Sequence, residues 1–247
     1  MKITILIGAG ALLMTTACTS PRNTSNPTTM NTDSTTSTTA TESSDSWISL
    51  FDGQTLNGWR TYQNKPTEAW RVQDGVLHCT GNETDKSDLQ VDLITAEQYE
   101  NFDFSIDWKI SPKGNSGIMY LVQETAPAAY ETGPEYQLID DANFPEKLED
   151  WQTTAANYAM HPAPAAKPAP VGEWNNTRIV VNNGRVEHWL NGTKVVEYTL
   201  GSDEWNQAKA TGKWKDTPGY GMAKRGHIAL QDHGSEAWFK NIKIKKL

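Results

Sequence analysis

Two short segments carry the residue types that move protons. Glu135 and Gln137 stand two apart in Glu135-Tyr136-Gln137-Leu138-Ile139-Asp140, and Gln231 and His233 stand two apart near the carboxyl end. Side chains two apart on a strand share a face. Tyr136 and Leu138 in the first segment, and Ile228 and Leu230 in the second, suit a core, so Glu135, Gln137, Gln231 and His233 turn the other way. Gathered on one sheet, they would present a carboxyl, an imidazole and two amides to a polar ligand. A histidine, or a glutamic acid with a raised pKa, suits proton transfer near neutral pH, which makes Glu135 and His233 the candidate acid/base pair. A solvated polar face with no catalytic role would show the same alternation.

The spacing argues against one mechanism. A retaining glycosidase flanks the scissile bond with two carboxyl groups about 5 Å apart, and on a sandwich strand these would come from alternate positions. Beyond Glu135 those positions hold Gln137 and Ile139, and Asp140 has the wrong parity unless a bulge re-aims it. Trp174, in Gly172-Glu173-Trp174-Asn175, could stack on a sugar or pack in the core. His188 shares parity with Val186 and Leu190, which fits a satisfied buried histidine as well as a ligand contact. Asn115 lies in a Gly-flanked bend, either a simple turn or a loop that holds sugar hydroxyls. No Cys, His or Asp spacing matches a zinc or calcium loop, so motifs assign no metal or cofactor, although scattered oxygens could still hold a divalent cation.

The elements that must position these groups read as strands. Phe102, Phe104, Ile106, Trp108 and Ile110 alternate with Asp103, Ser105, Asp107 and Lys109, which puts one face in a core and the other toward water or ligand. Asp74-Gly75, Asn183-Gly184 and Asn191-Gly192 each separate apolar or β-branched runs, a strong hairpin signal. They predict a meander over 179–182, 185–190 and 195–200. Ser202 could cap one short helix carrying Trp205 and Ala208. Residues 162–170 are Pro-rich and predict an extended surface loop. Many short strands, close turns and one minor helix predict an all-β sandwich of two antiparallel sheets of the jelly-roll kind.

Outside that region the chain changes character. Lys2 precedes an apolar run over 3–14, and then Ala17-Cys18 follows, as in a bacterial lipoprotein signal peptide spanning 1–17. The run is shorter than the roughly 20 residues a bilayer span needs. Cys18 would become the lipidated first residue of a chain anchored in the cell envelope, facing the periplasm or the cell surface. Residues 18–46 are dominated by Thr, Ser, Asn and Pro and predict a flexible tether. With Cys18 lipidated, Cys79 has no partner, and its alternating segment suits a buried structural thiol. A net charge of -8 argues against nucleic acid or an anionic membrane surface as partner. Membrane contact would be through the lipid alone.

The ordered set of motifs over 47–247 resembles the 3-keto-disaccharide hydrolase domain family. The resemblance runs from Leu50-Phe51-Asp52-Gly53 and Leu56-Asn57-Gly58-Trp59 through Gly114-Asn115-Ser116-Gly117-Ile118 and Glu187-His188-Trp189-Leu190-Asn191-Gly192. It closes on Gly226-His227-Ile228-Ala229-Leu230-Gln231-Asp232-His233-Gly234. It implies a concanavalin-like jelly roll and cleavage of oligosaccharides or glycosides whose sugar carries a ketone at carbon 3. Such a ketone acidifies the carbon 2 hydrogen, so one general base can start an elimination without a second carboxylate. The enolate oxygen then needs donors or a cation, which Lys109, Gln137, Gln231 or a divalent ion could supply. Asn115, Trp174 and His188 complete the expected substrate contacts. The Thr/Ser tether and the Pro/Ala-rich loop after His161 depart from the family pattern. A lectin-like module that only holds sugar predicts the same amides and aromatics without the titrating pair.

Overall fold

The computed structural model describes residues 46–81 and 90–247, so the expected signal peptide, Cys18 and all but the last residue of the expected tether lie outside the described residues. One sheet has eight strands. Seven run in the order β11 (Thr193–Thr199), β10 (Arg185–Leu190), β9 (Asn175–Asn182), β6 (Phe102–Ile110), β13 (Ala237–Lys246), β4 (Val76–Cys79) and β3 (Trp70–Gln73), and β1 (Ile48–Ser49) also pairs with β13. The other has five, ordered β2 (Trp59–Thr61), β5 (Leu93–Thr95), β12 (His227–Leu230), β7 (Asn115–Val122) and β8 (Glu135–Ile139). All these pairings are antiparallel.

The three expected hairpins form. Asp74-Gly75, Asn183-Gly184 and Asn191-Gly192 have positive φ at both central residues, the geometry that matches strand twist and that Asx-Gly pairs adopt readily. They join β3 to β4, β9 to β10 and β10 to β11. Helix α1 (Asp203–Thr211) starts at Ser202, whose hydroxyl accepts from the Trp205 amide. Trp205 anchors it, 1% exposed.

One main core fills the space between the sheets. Phe102, Phe104, Ile106, Trp108 and Ile110 of β6 pack there with Ile118 and Tyr120 of β7, Tyr136 and Leu138 of β8, and Ile228 and Leu230 of β12. The Trp108 indole donates to Thr177 Oγ1 at 2.8 Å, which satisfies its polar edge away from water. A second, smaller cluster of Tyr62, Ile94, Met119, Val122, Ala129 and Ala229 lies apart from the first. Met119 and Ala229 alternate with main-core residues on their strands, so this cluster covers the opposite face of the five-stranded sheet. That sheet is therefore buried on both sides, and β5, β8 and β12 are buried at every position. A strand covered on both faces loses the clean alternation of a half-exposed one.

Candidate active site

Over that outer face of the five-stranded sheet opens a cavity of about 620 Å³. Glu135 and Gln137 reach it from β8, Asn115 from the start of β7, and Gln231, Asp232 and His233 from the segment after β12. Pairing continues past β12, because the Gln231 amide donates to Gly117 O at 2.9 Å and so holds the strand's parity through Gln231. His233 then stands exposed in a turn where the Gly234 amide donates to Asp232 Oδ1. Parity thus brings Glu135, Gln137, Gln231 and His233 to one cavity. They do not form a merely solvated face, because Glu135, Gln137 and Gln231 are only 4%, 2% and 7% exposed.

Room for Glu135 comes from an absence. A Cβ on Gly117 would stand 2.2 Å from Glu135 Oε1, so the carboxyl occupies the space that any other residue would fill. Burial pushes the Glu135 pKa from 4.5 up to about 8; the Lys213 ammonium opposes the rise, the Asp92 carboxylate adds to it, and the Gln231 side chain opposes it. Glu135 is therefore protonated at neutral pH. Half-buried Asp92 is pushed up to about 7, first by lost hydration, while a hydrogen bond from the Asp232 amide at 3.0 Å pulls the other way.

Amide oxygens Asn115 Oδ1, Gln137 Oε1 and Gln231 Oε1 are buried without a hydrogen-bond partner, and all three residues line this cavity. Buried polar groups rarely stay unpaired, so three in one cavity mark a surface prepared for a ligand rich in hydroxyl donors. Tyr158 and Trp214 form an aromatic wall, and Lys213 stands over both rings, 4.4 Å and 4.8 Å from their centroids. Among the described residues, no group of three or more His, Cys, Asp or Glu side chains could hold a metal ion.

Three of the expected contacts lie elsewhere. Lys109 and Trp174 sit on the outer face of the eight-stranded sheet, in a separate cavity of about 400 Å³ that shares no lining residue with the first. Lys109 alternates with Trp108 and Ile110, and since those two enter the core, Lys109 must leave the sandwich on the far side. His188 is fully buried between the sheets, where its Nδ1–H donates to Ala155 O at 2.9 Å and its Nε2 accepts from Tyr120 Oη at 2.8 Å. Tyr120 Oη in turn accepts from Tyr198 Oη. Burial drives the His188 pKa down to about 4, so it is a neutral structural residue. Cys79 is fully buried, and burial pushes its thiol pKa up. Asp140 caps a turn, accepting from the Lys113, Ala142 and Asn143 amides.

Sequence reasoning missed Asp92 and Lys213. Asp92 carried a usable signal, being an acidic residue inside the apolar run Val91-Asp92-Leu93-Ile94, where a carboxyl is buried only with a purpose. Lys213 follows α1 in a loop with no periodicity to place it.

A two-sheet antiparallel sandwich with a buried carboxyl, amides and aromatics in a cavity on one sheet is the framework of a carbohydrate-active protein. This chain belongs to the family described as the 3-keto-alpha-glucoside-1,2-lyase-like domain, which its sequence matches over residues 46–245. It is 35% identical over 231 residues to a 3-keto-disaccharide hydrolase of Bacteroides thetaiotaomicron, covering 83% of this chain and 79% of that one. A crystal structure of a candidate glycosyl hydrolase from Parabacteroides distasonis is 43% identical, with a TM-score of 0.75, covering 81% of this chain and 94% of that one. A Bacillus subtilis protein with a galectin-like fold, 12% identical with a TM-score of 0.51 over 81% of this chain and 94% of that one, shares the fold. Family and relatives together support a carbohydrate-active function for this chain.

Proposed function

We propose that the chain cleaves the glycosidic bond of 3-keto-glycosides or 3-keto-disaccharides by elimination followed by hydration. The observation that carries this reading is a buried Glu135, its pKa raised by that burial, sharing one cavity with His233 and three amide oxygens that lack a hydrogen-bond partner. His233 removes the carbon 2 proton, acidified by the neighbouring ketone, and the electron pair forms the carbon 1–carbon 2 double bond as the anomeric carbon–oxygen bond breaks. Glu135 gives its proton to the departing oxygen, the role its raised pKa suits. Lys213 and the amide N–H groups of Gln137 and Gln231 offset the charge that develops on the ketone oxygen. Water then adds across the double bond, its hydroxyl to carbon 1 and its proton to carbon 2, leaving the free 3-keto sugar. Lys109, the cation first expected in this role, lies too far away on the other sheet.

The test is to incubate the purified chain with a 3-keto-disaccharide and with its unoxidised parent. We expect the second sugar to be released from the ketone alone, because without it the carbon 2 hydrogen is not acidic enough for an imidazole. Rapid cleavage of the unoxidised parent would overturn the mechanism. Tight binding of the ketone without cleavage would establish the lectin-like alternative.

We also propose that Cys18, following Ala17 at the end of the apolar run, is lipidated and holds the chain in the bacterial cell envelope. Cys18→Ala is then expected to leave the membrane fraction or to remain unprocessed. Wild-type protein that begins at another residue and carries no lipid would refute the anchor.

A further inference from the structure

The outer face of the eight-stranded sheet carries a row of side chains in register across four strands. Arg71 of β3 lies opposite His78 of β4, His78 opposite Trp238 of β13, and Trp238 opposite Lys109 of β6. Trp174, just before β9, extends the row. The Lys109 ammonium stands 4.9 Å from the Trp238 ring centroid and 5.3 Å from that of Trp174, and Lys240 stands 4.0 Å from Trp174. On its other side, Trp238 stacks on His78 at 4.9 Å and 12°.

Among the described residues, Arg71, Lys109 and Lys240 form no ion pair with a carboxylate. Arg71 instead donates to His78 Nδ1 at 3.3 Å. Burial lowers the His78 pKa first, and the Arg71 charge, with a smaller contribution from Lys109, lowers it further against the pull of Glu236. Glu236 pairs with His78 Nε2 at 3.1 Å at the edge of the row, while Arg71 and Lys109 stand in the cavity wall itself. The row lines the cavity of about 400 Å³, a volume within the ordinary range for ligand sites. Asp74, at the β3–β4 hairpin, is the sole carboxylate in its wall.

We propose that this cavity is a second saccharide site, which binds sugars carrying a carboxylate or sulfate group. Trp174 and the edge of Trp238, whose faces are taken by His78 and Lys109, supply apolar surface beside a pyranose, and Arg71 and Lys109 in the wall, with Lys240 next to Trp174, supply charge-assisted hydrogen bonds to the anion. The site stands independently of the chemistry at Glu135, since it shares no residue with that cavity. A polynucleotide would also meet cations and aromatics, but its dense charge is repelled by the surplus of carboxylates elsewhere on the chain.

Titration calorimetry on the full chain tests this with four probes: a galacturonate oligosaccharide, a sulfated oligosaccharide, a neutral oligosaccharide and a single-stranded oligonucleotide. Binding is expected for at least one acidic sugar, and it should weaken as salt is raised. Which acidic probe binds identifies the anion. Lys109→Gln and Lys240→Gln should each lower that affinity about tenfold, the worth of one charge-assisted hydrogen bond. Trp174→Ala should weaken it too. Turnover at the Glu135 cavity should be unchanged in Lys109→Gln, and matching melting curves would show that each variant is folded. Equal affinity for the neutral sugar, oligonucleotide binding lost in the same variants, binding that the variants leave intact, or no binding to either acidic sugar would each overturn the proposal.

Discussion

Turnover of a 3-keto-glycoside falls by roughly 10²–10⁴-fold in Glu135→Gln and in His233→Ala, the usual worth of general acid–base catalysis. Glutamine keeps the shape and hydrogen-bonding capacity of a neutral carboxyl but cannot release a proton, so substrate affinity should change much less than kcat. The pH profile separates the two roles. With a Glu135 pKa of about 8 in the free chain, wild-type kcat/KM declines as pH rises through that value and the acid is lost. That alkaline limb should vanish in Glu135→Gln. The same shift has a stability consequence with a definite sign. A carboxyl raised from 4.5 to about 8 on folding stabilises the chain fully below pH 4.5, and the contribution disappears as pH rises through about 8. Glu135→Gln should therefore melt above wild type at pH 8–9 and show its smallest difference near pH 4. Full activity in both variants would mean that the chemistry lies on other residues.

Gly117→Ala should lower turnover by about 10²-fold while leaving the fold intact. The added Cβ would stand 2.2 Å from Glu135 Oε1, 2.8 Å from its Cδ and 2.9 Å from its Cγ, and all three are side-chain atoms. The strand pair need not move, because the carboxyl can swing aside. Its displacement by about an ångström is enough to cost two orders of magnitude in rate. A near-normal melting temperature with a collapsed kcat would show that Gly117 serves the position of Glu135 rather than the sheet. Wild-type kcat in Gly117→Ala would show that the carboxyl is not needed where it lies.

Most of the architecture was legible because two kinds of local signal point the same way. The alternation from Phe102 to Ile110 and the three Asx-Gly pairs each dictate one backbone geometry, and the strands and hairpins follow. Parity also placed Glu135, Gln137, Gln231 and His233 together, since a period of two fixes a face once one neighbour is known to be core. It did not place Lys109, for a physical reason. A sandwich has two outer faces, and parity says that a side chain leaves the core without saying from which sheet. The second cluster around Met119 and Ala229 was hidden as well, because strands buried on both sides carry no alternation. Asp92 and Lys213 come to Glu135 through tertiary packing, from a short strand's approach and from a loop, and neither has a period to read.

The buried thiol of Cys79 gives the domain a further property. Disulfide exchange and peroxide oxidation both proceed through the thiolate and need access to the sulfur. Cys79 is fully buried, its pKa is pushed up, and it is the single cysteine among the described residues. The folded domain is thus silent toward thiol–disulfide exchange: its one described thiol forms no mixed disulfide, and a change in the surrounding thiol poise leaves its cross-linking unchanged.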